Sequence, residues 1–271
     1  MHYLFKSWDM LKGRLKGKHI FLFLDYDGTL TPIANTPDRA IMSEEIKLLL
    51  ERLSRSPFCK IAIISGRSLD DIKNRVGLKG VIYSGNHGLE IEGPKIKFIM
   101  PVKPGYEKIL KQIKKELSAK IASIKGVFIE DKGFSLALHF RLASKNSITL
   151  AKAVLYETAI IDSVSNKVKI KAGKKVLEVG PILEWDKGKV VLWLLARQKF
   201  AKDTSNVLPI YIGDDFTDED AFRALQHTGI TIFVGKPKSS CANYYVKNIK
   251  EVTKLFKEIL LLQEEAILCQ N

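Results

Sequence analysis

Phe21-Leu22-Phe23-Leu24-Asp25-Tyr26-Asp27-Gly28-Thr29-Leu30 sets an unbroken apolar run against two carboxylates, a glycine and a hydroxyl. Such a run reads as a strand buried on both faces, and its acids fall where a parallel sheet opens into its ligand crevice, beyond the strand's carboxyl end. Two carboxylates spaced by one residue can divide labour there, one attacking phosphorus while the other gives and takes a proton. The bland alternative is an acidic helix cap, but Thr29-Leu30-Thr31-Pro32 does not open a convincing helix.

Outward from this stretch, residues 61–64, 81–83 and 208–212 repeat the short apolar pattern, and with 20–24 they are expected to be strands covered on both faces. Helical stripes accompany them: 43–53 behind a Ser43 N-cap with Ile46, Leu49, Leu50 and Leu53 apolar, then 187–200 and 253–262. Alternating strands and helices predict a doubly wound parallel α/β sheet. The C-terminal stripe of Leu255, Phe256, Ile259 and Leu262 is expected to pack on that core.

The middle of the chain follows another rule. Pro101 and Pro104 punctuate the exit from the first half, after which the pattern reads helix 106–121, strands 127–130 and 135–140, helix 147–160, strands 167–171 and 176–179. Tight turns at Asp131-Lys132-Gly133 and Ala172-Gly173-Lys174 mark antiparallel hairpins. This αββαββ pattern predicts an α+β cap at residues 104–181 inserted into a core of residues 1–103 and 182–271, with hinges near 100–104 and 180–184.

Composition narrows the class. The 271 residues carry 44 Lys+Arg against 30 Asp+Glu, a formal net charge of +14 that favours anionic partners in general. The lysines are spread through helices and hairpins with no basic block interleaved with aromatics, so a solvated surface is the reading and no nucleic-acid partner is expected. Cys59, Cys241 and Cys269 are odd in number and far apart, which suggests neither a disulfide framework nor a zinc site and fits a reducing cytoplasm. No stretch resembles a signal peptide or reaches the ~20 apolar residues of a membrane span, so no membrane partner is expected.

Three further segments carry chemistry. Ile61-Ala62-Ile63-Ile64-Ser65-Gly66-Arg67 ends a strand in a hydroxyl and a glycine whose N–H can approach a phosphate oxygen, although Ser65 or Ser68 also suits the N-cap of a following helix. In Trp185-Asp186-Lys187-Gly188-Lys189, Lys187 at a helix start can hold a carboxylate and a phosphoryl group together by charge. Tyr211-Ile212-Gly213-Asp214-Asp215-Phe216-Thr217-Asp218-Glu219-Asp220 places an acidic cluster after another apolar strand. Carboxylates without histidine or thiol suit Mg²⁺, and the spacing is not that of a calcium-binding EF-hand loop. Asp218 to Asp220 equally fit the acidic first turn of a helix at 221–225.

In this order, Asp25-x-Asp27-Gly28-Thr29, Ser65-Gly66-Arg67, Lys187 and Gly213-Asp214-Asp215 resemble the four motifs of the haloacid dehalogenase superfamily of phosphotransferases. The resemblance implies that Asp25 is the nucleophile forming an aspartyl-phosphate and that Asp27 protonates the leaving alcohol and then activates water. It implies that Ser65 and Lys187 bind the phosphoryl group, with Thr29, Gly66 and Arg67 beside it. Mg²⁺ would be held by Asp25, the backbone carbonyl of Asp27 and Asp214, with Asp215 in support.

The αββαββ insertion and the segments Gly85-Asn86-His87-Gly88-Leu89-Glu90, residues 130–141, residues 173–179 and residues 213–220 are similar to trehalose-6-phosphate phosphatase signatures. By that resemblance Glu130, Lys132, Lys174 and Glu178 contact the sugar or its phosphate, with His87 and Glu90 nearby. Cross-strand ion pairs on a solvated sheet face are the alternative for the four cap residues, and ordinary half-buried histidines for His87 and His139. One departure is Gly180-Pro181 where the family typically has Arg-Pro. The expected activity is Mg²⁺-dependent hydrolysis of trehalose 6-phosphate by a cytoplasmic monomer, with a dimer as the alternative state. A glucosylglycerol or sucrose phosphate ester and a catalytically idle sugar-phosphate-sensing subunit are the competing readings.

Overall fold

The computed structural model describes residues 1–173, 175–197, 206–236 and 239–268, the side chains of 266–268 excepted. The first half runs β1 (His2–Tyr3), α1 (Trp8–Leu15), β2 (His19–Leu24), α2 (Glu44–Arg55), β3 (Cys59–Ile64), α3 (Leu69–Val76), β4 (Ile82–Gly85), β5 (Glu90–Gly93) and β6 (Ile96–Ile99). It continues through α4 (Tyr106–Ile121), β7 (Phe128–Asp131), β8 (Leu136–His139), α5 (Lys145–Val164), β9 (Lys169–Gly173) and β10 (Val176–Gly180). The chain then forms α6 (Lys187–Arg197), β11 (Val207–Gly213), α7 (Glu219–Leu225), β12 (Ile230–Val234), β13 (Tyr244–Val246) and α8 (Ile249–Leu268). Two compact units result: Met1–Ala34, Asp38–Phe98 and Trp185–Asn271 form one, and Ile99–Glu184 with Asn35–Pro37 form the other.

In the first unit a nine-stranded sheet has the order β1-β13-β12-β11-β2-β3-β4-β5-β6. From β1 to β4 every recorded pairing is parallel, and β5 turns antiparallel to β4. The alternation along β2 explains why it is apolar throughout. Ile20, Leu22 and Leu24 enter a core with α1, α2, α3 and α8, whereas Phe21 and Phe23 enter a second core with α6 and α7. This is the doubly wound α/β core that the periodicity predicted, and Leu255, Phe256, Ile259 and Leu262 do pack in it.

Local chemistry sets the helix ends. The Ser43 side chain accepts from the Ile46 N–H at the start of α2, Glu44 and Glu45 occupy its first turn, and Arg52 and Arg55 its last. Ser68, rather than Ser65, caps α3 by accepting from the Asp71 N–H, and Gly77 closes that helix in a left-handed conformation. Several elements were not anticipated: β1, β13, α1 and the β5/β6 pair are too short or too mixed in polarity to show a clear period, whereas β12 carries the same short apolar run as the strands that were read and was overlooked. The expected helix at 187–200 is described as Lys187–Arg197, its last three residues lying outside the described residues.

The second unit carries a four-stranded antiparallel sheet, order β7-β8-β10-β9. Tyr106, Leu110, Ile113, Leu117 and Ile121 of α4 and Ala151, Leu155 and Ala159 of α5 pack with Leu136, Leu138, Leu177 and Val179 in its core. The strand residues between those core positions turn to the sheet's other face. There the register sets Glu130 opposite Ala137, Ala137 opposite Glu178, and Glu178 opposite Lys171.

Candidate active site

The register of the parallel sheet decides where the site forms. Leu24 of β2 pairs with Ile212 of β11 on one side and Ile63 of β3 on the other, so the three strands end together. The chain direction reverses its walk across the sheet at β2, which makes this edge a switch-point crevice. Asp25, Ser65 and Asp214 therefore leave neighbouring strand ends, and the Asp25 N–H donates to the Ile212 carbonyl at 2.9 Å.

Lys187, the first residue of α6, is buried between two carboxylates. Its Nζ donates to Asp25 Oδ1 at 2.6 Å and to Asp218 Oδ1 at 2.7 Å. Tyr211 donates its hydroxyl to Asp218 Oδ1 at 2.7 Å, and the Asp215 N–H donates to Asp218 Oδ2 at 2.9 Å. Asp218, read from sequence as equally suited to a helix's acidic first turn, is thus wholly buried and central to the cluster. Its place in the dense acidic run 214–220 that follows an apolar strand was the available signal.

Oxygen atoms of Asp25, Asp214 and Asp218 lie within 4.8 Å of one another. Asp215 takes a different part: its side chain caps the short turn Phe216–Asp218 by accepting from the Phe216 N–H at 2.6 Å. Gly28, at φ +90°, permits the close fit, because a Cβ there would stand 2.1 Å from Asp214 Oδ2. Three carboxylates thus face one ammonium. Burial pushes the Asp25 carboxyl well above the usual carboxylate range; Lys187 opposes the shift, and Asp218 and Asp214 add to it. Lys187 is driven the other way: burial alone would lower it, yet Asp218 and Asp25 hold it above the ordinary lysine value. An all-oxygen donor set short of positive charge fits a hard divalent cation.

Asp27 is gripped by Arg67, whose Nε and Nη2 donate to Asp27 Oδ2 and Oδ1, each at 2.7 Å. The same buried guanidinium donates through Nη1 to Asp71 at 2.8 Å, and Asp71 is shared with Arg75. Arg67 thus spends its fork on protein carboxylates, orienting Asp27 by a bidentate contact. Thr29 is fully buried, and its Oγ1 has no hydrogen-bond partner among the described residues.

Ser65 and Gly66 meet the turn that follows β4. The His87 N–H donates to the Ser65 carbonyl at 2.9 Å, and the Asn86 N–H to the Arg67 carbonyl at 2.7 Å. Asn86, His87 and Gly88 all have positive φ, and the His87 ring lies so near Gly66 that a Cβ on that glycine would be 2.6 Å away. Glu90 is held by Asn86, whose Nδ2 donates to Glu90 Oε2 at 2.7 Å.

In the second unit Lys132 Nζ lies 3.5 Å from Glu178 Oε2, and Ser135 donates to Glu178 Oε1 at 2.5 Å. Glu130 is paired with His139 at 2.7 Å. Lys174 lies outside the described residues. Glu130, Lys132 and Glu178 thus gather around the sheet face turned away from α4 and α5, together with His139 and Ser135.

A family model described as Trehalose-phosphatase matches residues 23–250. Probable trehalose-phosphate phosphatase D of Arabidopsis thaliana is 36% identical over 257 residues, covering 90% of this chain and 68% of the relative. Trehalose 6-phosphate phosphatase RA3 of Zea mays is 36% identical over 269 residues, covering 93% and 73%. The C-terminal domain of the C. albicans trehalose-6-phosphate phosphatase superposes with a TM-score of 0.77 at 25% identity, covering 93% of this chain and 96% of that one.

Proposed function

The chain belongs to the trehalose-phosphatase family, and we propose that it hydrolyses trehalose 6-phosphate to trehalose and phosphate through an aspartyl-phosphate on Asp25. The observation that carries the mechanism is the buried Asp25–Lys187–Asp218 contact beside Asp214. In the first step an Asp25 carboxylate oxygen bonds to phosphorus while the bond from phosphorus to the sugar oxygen breaks, and Asp27 gives that oxygen its proton. In the second, water attacks the phosphorus of the acyl phosphate, its proton passes to Asp27, and the Asp25 carboxylate leaves. Arg67 orients Asp27 through its bidentate contact, which loosens at the oxygen that carries the proton in the first transfer. Ser65, with the backbone of Gly66, and Lys187 bind the phosphoryl oxygens.

Mg²⁺ is the proposed metal, which Asp25 and Asp214 would hold with the Asp27 carbonyl; Asp218 joins the carboxylate cluster and Asp215 braces the turn. When bound it offsets the repulsion between a phosphate dianion and the acidic cluster. Glu130, Lys132, Lys174 and Glu178 are proposed to read the sugar, since carboxylates that accept from hydroxyls discriminate against analogues lacking them. A cytoplasmic monomer remains the expected state. No described helix is long and apolar enough to cross a membrane.

The test is phosphate release from a panel of trehalose, sucrose, glucosylglycerol and glucose phosphates with Mg²⁺ and with excess chelator. Preference for trehalose 6-phosphate, loss on chelation and no turnover by Asp25→Asn are expected. Strong preference for another ester would overturn the substrate, and turnover persisting in Asp25→Asn would overturn the nucleophile.

A further inference from the structure

His139 lies outside every role assigned above, yet its contacts are specific. Its Nε2 is 2.7 Å from Glu130 Oε2, and its ring stacks on Phe128 with centroids 4.7 Å apart and planes 13° from parallel. The register explains the arrangement: Phe128 of β7 is the direct cross-strand partner of His139 on β8, and Glu130 lies two residues along the same face. Val176 of β10 flanks His139 from the other side. The imidazole is therefore held by the Phe128 stack, with Val176 as its cross-strand neighbour on the other side. Its side chain and that of Glu130 are 18% and 24% exposed, so the hydrogen bond has little competition from water.

We propose that His139 is a positioning residue for sugar recognition: its Nε2–H, kept in place by the Phe128 stack, fixes the orientation in which the Glu130 carboxylate accepts from the hydroxyls of a disaccharide phosphate. This rests on the reading of Glu130 as a sugar contact. A carboxylate on a flexible stem loses rotamer freedom on binding a hydroxyl, and a partner that orders it beforehand reduces that cost. The imidazole does not touch phosphorus in this account. It acts on which ester is chosen.

The readout is the ratio of kcat/KM for trehalose 6-phosphate to that for p-nitrophenyl phosphate, an ester without a sugar. His139→Ala is expected to lower the ratio roughly tenfold, mainly through the KM for the sugar ester, about what loss of one charge-assisted hydrogen bond gives. His139→Gln, which returns an amide donor near the Nε2 position, is expected to restore most of it. Should His139→Ala fail to fold, His139→Asn, whose amide stops short of Glu130, replaces it. A fall in the ratio rescued by Gln supports the proposal. An unchanged ratio in the His139 variants, with a lowered one in Glu130→Gln, overturns the role of His139 and leaves Glu130 as a sugar contact. An unchanged ratio in Glu130→Gln overturns both.

Discussion

Charge placement at single residues governs this site. Lys187 stands between Asp25 and Asp218, its Nζ 2.6 Å from one carboxylate and 2.7 Å from the other. Asp218→Asn leaves Lys187 paired with Asp25 but weakens a charged acceptor shared by Lys187, Tyr211 and the Asp215 N–H, so it is expected to cost about 2 kcal/mol of stability and to lower kcat at least tenfold. Thermal unfolding and steady-state kinetics check both numbers; wild-type behaviour in each would reduce Asp218 to the first-turn residue that its sequence context also allowed. Asp71 offers a pH-dependent case. Burial raises its carboxyl, but hydrogen bonds from Arg75 and Arg67 outweigh that and hold it below the ordinary value. A carboxylate depressed in the folded state contributes stability that is present above its unfolded value, about 3.9, and is lost as pH falls through the folded one. Asp71→Asn should therefore be about 1–3 kcal/mol less stable than wild type at pH 7, with the gap closing below about pH 4. Urea titrations at pH 7 and pH 3 measure the gap, and an equal gap at both would remove charge as its cause.

Among the elements, caps and close approaches carry the argument. The Ser43 cap on α2 is worth about 1 kcal/mol, so Ser43→Ala is expected to lower the urea midpoint and leave KM unchanged. Gly28 is more demanding, because both its positive φ and the Asp214 carboxylate exclude a side chain. Gly28→Ala should displace Asp214, lowering affinity for the proposed divalent metal by at least tenfold in a titration with Mg²⁺; unaltered affinity would mean that the turn adjusts without moving the carboxylate. The elements legible in sequence were those with a clean period. Helix α4 spans the expected residues, and α5 runs a little beyond them, from Lys145 behind a Ser144 cap. Strands β2, β3 and β11 also stood out, because burial on both faces requires an unbroken apolar run. The pair β5 and β6 was missed for the converse reason: Glu90, Glu92, Lys95 and Lys97 interrupt the pattern on a half-buried sheet margin.

For the whole molecule, the relevant quantity is net charge. At +14 the chain attracts a dianionic ester over distances that salt screens. Raising NaCl from about 0.02 M to about 0.3 M shortens the Debye length from roughly 20 Å to under 10 Å, and kcat/KM for a sugar phosphate is expected to fall several-fold. A flat salt profile would confine the attraction to the site's own groups. Sequence alone determined the α/β core, the αββαββ order of elements in the middle of the chain and the strand-end position of Asp25 and Asp27, since each follows from hydrophobic period and turn chemistry among near neighbours. Tertiary structure alone decided which charges meet. Lys187 and Asp25 are 162 residues apart, Arg67 and Asp27 are 40, and His139 reaches Glu130 across a strand pair. Whether an ionisable side chain is a solvated surface group or a buried partner depends on what distant chain segments bring within about 3 Å of it, and no local pattern encodes that distance.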